Sequence, residues 1–248
     1  VTRFETLGGM ANSLVTHGVY DIRHRRTQAL AAVSRTKPSN PVSSGREALL
    51  QDAKLAWRFF ERYTHPATGL CPSSVNFTPG GGNIHAAVTM WDVGSQINAL
   101  IAAAKLEFID QKKFRSSVSK LLPQIRGRRS QGRLLPQGWI RTDRHKWGNK
   151  NFDGSDAGRL LAALDCLRRF DPALEERLQE TVASWDLGKV ILNQEIFSVT
   201  EGTLHTSYIS HSAHYSARAF RRWGLEVRSP YEVFGGRSAN DGQMALLE

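Results

Sequence analysis

The chain has 248 residues, of which 40% are hydrophobic, 23% charged and 9% aromatic, a balance that belongs to globular domains and excludes collagen-like, low-complexity and disulfide-dense chains. Its most apolar run, residues 97–106, contains Asn98 and Lys105, short of the roughly 18 uninterrupted apolar residues that a membrane-spanning helix needs. Thirty-three Lys and Arg against 23 Asp and Glu give a net charge of +10, which favours an anionic partner without choosing among nucleic acid, acidic lipid and acidic polysaccharide.

Residues 1–43, with the basic run Arg23-His24-Arg25-Arg26 and a polar stretch over 34–44, read as an N-terminal extension; residues 44–248 read as one helical domain. At Ser44, Glu47 three residues on makes a capping box. Leu49, Ala53, Ala56, Trp57 and Phe60 follow at helical spacing up to Tyr63, with Trp57 and Phe60 as core. After Asp92 come Val93, Ile97, Leu100, Ile101, Ala104 and Phe108, and Asp110 then caps a helix carrying Phe114, Val118, Leu121, Leu122 and Ile125. Asp156 opens a helix with Ala157, Leu160, Leu161, Leu164 and Leu167 on one face. Asp171-Pro172 reads as a cap with proline at the first helical position, leading to Leu174, Leu178, Val182 and Trp185. Ala213, Ala217 and Phe220 line a last helix that Gly224 ends. Strand-like alternation is scarce, so the expected fold class is all-α.

Three long loops separate the helices, at 64–90, 127–154 and 198–211. Loops of this length inside a compact domain point to function, and their aromatic and polar residues suit a binding face. The second loop holds Arg126, Arg128, Arg129, Arg133, Arg141, Arg144 and Lys146 against Asp143 alone, either a solvated loop or a contact for an anionic ligand.

A signature recurs at two helix starts: W-D-V-G-S-Q-I-N-A-L at residues 91–100 and S-D-A-G-R-L-L-A-A-L at 155–164, with a shorter W-D-L-G at 185–188. In a helical-hairpin repeat, equivalent positions of successive inner helices face one opening, so Asp92 and Asp156 would converge there. Helix capping by Asp, with glycine for close packing, explains the same pattern without a site.

The cysteines, Cys71 and Cys166, allow at most one bridge. His205, His211 and His214, with Glu201 just before them, offer imidazoles and a carboxylate, but their spacing matches no zinc signature. No metal or cofactor is therefore expected. Gly80-Gly81-Gly82 lacks the lysine of a phosphate loop, and no G-x-S-x-G elbow occurs.

Taken in order, A-W-R-F-F-E-R-Y-T-H-P-A-T-G-L-C-P-S at 56–73, T-M-W-D-V-G-S at 89–95, L-L-P-Q-G-W-I at 134–140, G-S-D-A-G-R-L-L at 154–161 and A-H-Y-S-A-R-A-F-R-R-W-G at 213–224 resemble a bacterial family of glucoamylase-like helical toroids. That family is a domain of unknown function associated with envelope polysaccharide genes. More distantly, the set is similar to β-1,2-glucan-acting toroidal hydrolases and transglycosylases. The resemblance implies an (α/α) toroid, complete or partial, an extracytoplasmic location and a polysaccharide or oligosaccharide partner, with envelope polysaccharide machinery as a further one. The β-1,2-glucan enzymes carry an acidic residue after the T-G-L segment, where this chain reads C-P-S-S at 71–74, and relatives carry one on the late helix where it has Ser212 or His214.

Cleavage of a glycosidic bond needs one carboxylic acid to protonate the leaving oxygen and a second carboxylate to activate water or attack the anomeric carbon. Asp92, Asp153, Asp156, Glu195 and Glu201 lie in loops or at helix starts. The helix dipole favours ionised Asp92 and Asp156, suiting a base, and a desolvated loop Glu201 would suit the acid. Trp91, Trp139, Trp147, Tyr208 and Tyr215 are candidate sugar platforms, His211 and His214 candidate hydroxyl partners, and Arg141 and Arg159 candidate partners for the carboxylates of an acidic glycan. A glycoside hydrolase or transglycosylase is thus the leading expectation. A non-catalytic glycan-binding or scaffold module is the alternative, and a basic nucleic-acid-binding domain trails both.

Overall fold

The helix expected from Ser44 runs from Gly45 to Tyr63 (α1) in a computed structural model that describes residues 45–78, 81–145, 148–206 and 211–229. Ser44 itself, the N-terminal extension, Lys146, Trp147 and Tyr208 lie outside the described residues. Along α1 Trp57 is buried and Phe60 is half-buried, its ring edge-on to Phe59 at 5.7 Å. The described chain forms two units: residues 45–58 with 73–85, and residues 59–72 with 86–229. The first holds most of α1 and an antiparallel hairpin of β1 (Ser74–Thr78) and β2 (Gly81–His85).

The second unit is built on three helices packed in a row. Helix α2 (Met90–Lys105) lies against α4 (Gly154–Phe170), and α4 lies against α6 (His211–Arg221). Covered on both sides, α4 buries Ala157, Leu160, Leu161, Ala163, Leu164 and Leu167. Each such leucine contributes about 1.5–3 kcal/mol relative to an exposed one. Helix α3 (Gln111–Leu121) packs on α2 and α5 (Glu175–Ala183) on α4. Asp110 caps α3 as expected, accepting from Lys113 N–H at 2.6 Å.

Glycine fixes how closely the row packs. A Cβ on Gly94 of α2 would stand 2.8 Å from the Arg159 carbonyl oxygen of α4, and one on Gly158 of α4 would stand 2.2 Å from the Ser216 hydroxyl of α6. The two glycines of the repeated Asp-x-Gly signature therefore make the same contact with the next helix in the row. The repeat is a packing repeat, and the N-terminal ends of α2, α4 and α6 gather on one side.

Two sequence expectations change, and the pairing of the cysteines is resolved. The fold is mainly helical but not all-α: nine short strands among the described residues form four small antiparallel sheets. Asp171 stands at the N-cap position with Pro172 after it, as expected, but its side chain makes no capping hydrogen bond. A 3-10 turn, Pro172–Leu174, intervenes before α5, and the Asp171 carboxylate instead takes Arg115 Nε at 2.8 Å and Nη2 at 3.1 Å, tying the end of α4 to α3. Cys71 is buried and Cys166 exposed, both as free thiols.

The strands sit in the long loops. The hairpin of β4 (Arg128–Ser130) and β5 (Arg133–Leu135) turns at Gln131-Gly132, while β7 (Ile191–Leu192), β8 (Glu195–Thr200) and β9 (Thr203–Thr206) turn at Asn193-Gln194 and Glu201-Gly202. All six turn residues have positive φ, the geometry of two-residue hairpin loops. Two further pairings join the loops to one another. Strand β3 (Ala87–Thr89) pairs with β6 (Trp139–Arg141), and Phe152 bridges Val199. The three loops are thus stitched together beside the starts of α2 and α4.

Candidate active site

Thr89, the last residue of β3, is the N-cap of α2 and faces Trp139 across the β3–β6 ladder. Its N–H donates to the Asp92 carboxylate at 2.9 Å, making Thr89 and Asp92 a capping box. The helix therefore begins two residues before Asp92, at Met90. At α4 the cap is Asp153, whose Oδ1 accepts from Ser155 N–H at 2.8 Å and Asp156 N–H at 2.9 Å. Gly154 N–H donates to the Ser198 hydroxyl at 3.0 Å, fixing the third loop at the same helix start.

Asp156 is thereby relieved of capping and turned to another use. Burial of its carboxyl, with the negative charges of Asp153 and then Asp92 beside it, pushes its pKa up from 3.8 to about 7; a hydrogen bond from the Thr89 side chain pulls partly the other way. The sequence reading assigned the helix dipole the larger influence and expected an ionised Asp156. In the structure desolvation and two neighbouring carboxylates act in the opposite direction and hold the pKa well above the ordinary carboxyl value. Three aspartates thus interact at the joined starts of α2 and α4, one of them holding its proton near neutral pH.

Glu201 has a different setting. It is exposed in the β8–β9 turn with φ of 50°, its N–H donating to Asn151 Oδ1 at 3.1 Å. The desolvation expected of a loop acid is absent there. Glu195 is ion-paired with Arg228.

The aromatic and basic candidates divide in the same way. Trp91 and Tyr215 come together with ring centroids 6.2 Å apart, and the Arg159 guanidinium lies over both, 5.5 Å from the Trp91 centroid and 5.9 Å from that of Tyr215. Arg159 Nη1 donates to the Tyr215 hydroxyl at 3.3 Å. Trp139 is half-buried on β6, across from Thr89. Arg141 is held by Asp143 through Nε at 2.6 Å and Nη2 at 2.5 Å, so the guanidinium edge expected to take a substrate carboxylate already holds one from within the chain. His214 Nδ1 bonds the Ser229 hydroxyl, and His205 is exposed on β9. His211 opens α6, its side chain outside the described residues. Among the described residues no three His, Cys, Asp or Glu side chains are grouped to hold a metal.

Cys71 adds a boundary to the site. Burial, opposed by a hydrogen bond from Thr64 and helped by the charge of Asp92, pushes its thiol up to about 12. A protonated thiol is no nucleophile. Its backbone N–H donates to Gln96 Oε1 at 3.0 Å, and Gln96 Nε2 donates to the Gly69 carbonyl at 2.8 Å, tying the T-G-L-C segment to α2.

The sequence profile of a family described as a protein of unknown function, DUF3131, matches residues 51–239. The chain belongs to this family. Among solved structures it is similar to a "putative glucoamylase" from Bacteroides fragilis at 16% identity and a TM-score of 0.49, covering 65% of this chain and 42% of that one. It is also similar to a second one from Bacteroides caccae at 15% identity and a TM-score of 0.46, covering 61% and 40%. The chain thus spans less than half the length of either. No curated protein matches it.

Two features of the site escaped sequence reasoning. Thr89 gave no signal beyond lying three residues before Asp92, the threonine-to-acid spacing of a capping box. The convergence of Trp91, Arg159 and Tyr215 joins three helices, and only the Asp-x-Gly repeat hinted that their starts would meet.

Proposed function

We propose that this chain acts on a carbohydrate polymer, cleaving or transferring glycosidic bonds with Asp156 as the proton donor and Asp92 as its partner carboxylate. The observation that carries this reading is the raised pKa of Asp156 at the start of α4, where it feels the charge of Asp92 at the start of α2. A carboxyl neutral up to about pH 7 can deliver its proton to the departing glycosidic oxygen. Asp92, next to it, then either takes a proton from the water that attacks the anomeric carbon or attacks that carbon itself. Burial does most to keep Asp156 protonated, and Asp153, bonded to two backbone N–H groups, adds its charge to that effect.

Trp91 and Tyr215 at the same side supply aromatic faces of the kind that sugar rings stack on, with polar groups beside them for hydroxyls. The ordered motifs shared with glucoamylase-like toroids support the same substrate class. We read the α2–α4–α6 row as an arc of such a toroid, and the resemblance to that family supports an extracytoplasmic role.

The test is release of new reducing ends from a panel of neutral glucans and acidic exopolysaccharides. We expect release by the wild-type chain, and a loss of about a hundredfold or more in both Asp156→Asn and Asp92→Asn. Full activity in both variants would sink the assignment. Binding without release by the wild-type chain would leave a non-catalytic glycan-binding module.

A further inference from the structure

We propose that the Arg159 guanidinium receives a carboxylate of the bound polymer, making the substrate of this site a uronate-bearing, acidic glycan. The proposal rests on the glycosidic reading above and adds the charge of the substrate to it.

Within this molecule, arginines grip carboxylates by one edge. Arg115 holds Asp171 through Nε and Nη2, and Arg141 holds Asp143 through the same two nitrogens. Arg159 is arranged differently. Its Nη1 is spent on the Tyr215 hydroxyl, while its Nε is buried without a hydrogen-bond acceptor among the described residues. Asp156, three residues earlier on the same helix, is placed for an ordinary i,i+3 ion pair, as Asp165 and Arg168 form at 2.8 Å one helical stretch later. Arg159 makes no such pair and lies over Trp91 and Tyr215 instead.

A buried cationic donor left without an acceptor carries a desolvation cost that an incoming acceptor removes. The planar guanidinium fork matches a carboxylate in a bidentate pair, and the two rings hold its plane in advance of binding. A neutral sugar hydroxyl would supply one acceptor but no compensating charge. The net charge of +10 favours the approach of a polyanion.

Calorimetric titration of the whole 248-residue chain with oligogalacturonate, oligoglucuronate and oligomannuronate tests this. Each is compared with its carboxyl-reduced counterpart, and a sulfated neutral glucan is included. At least one uronate series should bind, with its carboxyl-reduced form weaker by tenfold or more. Arg159→Gln should abolish that difference and Arg159→Lys should keep part of it. Equal binding of reduced and acidic chains, a preference retained in Arg159→Gln, binding of the sulfated chain alone, or no binding at all would each overturn the proposal. If Arg159→Gln fails to fold, the wild-type preference and the Arg159→Lys titration decide it. Cleavage of neutral chains that depends on Asp156, without charge preference, would overturn this inference and keep the glycosidic reading. Uronate binding that depends on Arg159, with no product released, would keep this inference and overturn that reading.

Discussion

Asp156 shows how three modest local choices produce one unusual proton. Asp153 takes over the capping of α4, Thr89 bonds the Asp156 side chain, and Asp92 is drawn into a capping box of its own. The carboxyl is left buried beside two negative charges. This has a consequence for stability that needs no substrate. Between pH 4 and 7 the folded chain holds the Asp156 proton that the unfolded chain, with an ordinary value near 3.8, has released. The folded state therefore binds more protons in that window, and stability falls as pH rises through it, by on the order of a few kcal/mol. Above about pH 7 both states are ionised at this site and the fall ends. Denaturant unfolding from pH 4 to 8 should show this decline in the wild-type chain and a flatter profile in Asp156→Asn, which is the more stable of the two at pH 8. Identical profiles would mean that Asp156 titrates as an ordinary exposed carboxyl. Glu201 makes the opposite point: its position in a loop suggested desolvation, yet Glu201-Gly202 is an exposed hairpin turn.

Helices carried clear signals because their apolar period persists over many residues, and Asp110 and Gly224 marked ends that the structure keeps: Asp110 caps α3, and Gly224 follows α6 with φ of 78°. Strands did not, because they are two to six residues long and alternation over so few positions is indistinguishable from loop sequence. Their turns, Gln131-Gly132 and Glu201-Gly202, each place glycine second in a two-residue hairpin loop, a signal that sequence reasoning left within the long loops. The Asp-x-Gly repeat was visible too, and its glycine has a specific role. On helix propensity alone, Gly158→Ala would stabilise α4 by up to about 1 kcal/mol. The contact with Ser216, whose Cα lies 2.6 Å from the added Cβ, predicts instead a loss of about 1–3 kcal/mol from overpacking. The sign of the shift in urea midpoint separates the two, and a rise would contradict the packing described for α4 and α6.

Over the whole chain, what the sequence could not disclose is the long-range pairing. The ladder of β3 with β6 and the bridge of Phe152 to Val199 join segments about fifty residues apart, and nothing local in 87–89 or 139–141 announces its partner. These pairings join parts of the three loops, at 87–89, 139–141, Phe152 and Val199. The charge of +10, uninformative as a total, acquires a location in Arg159, which three helices hold ready beside the aspartates. Further positive charge lies on the β4–β5 hairpin, where Arg128 and Arg129 are exposed. The functional account turns on whether Asp156 retains its proton close to neutrality among its neighbours. Carbon-detected NMR titration of the aspartate carboxyls, with Asp156→Asn used to assign the resonance, measures this directly. The account predicts a midpoint near 7 that falls towards ordinary carboxyl values in Asp153→Asn; a wild-type midpoint near 4 would contradict it.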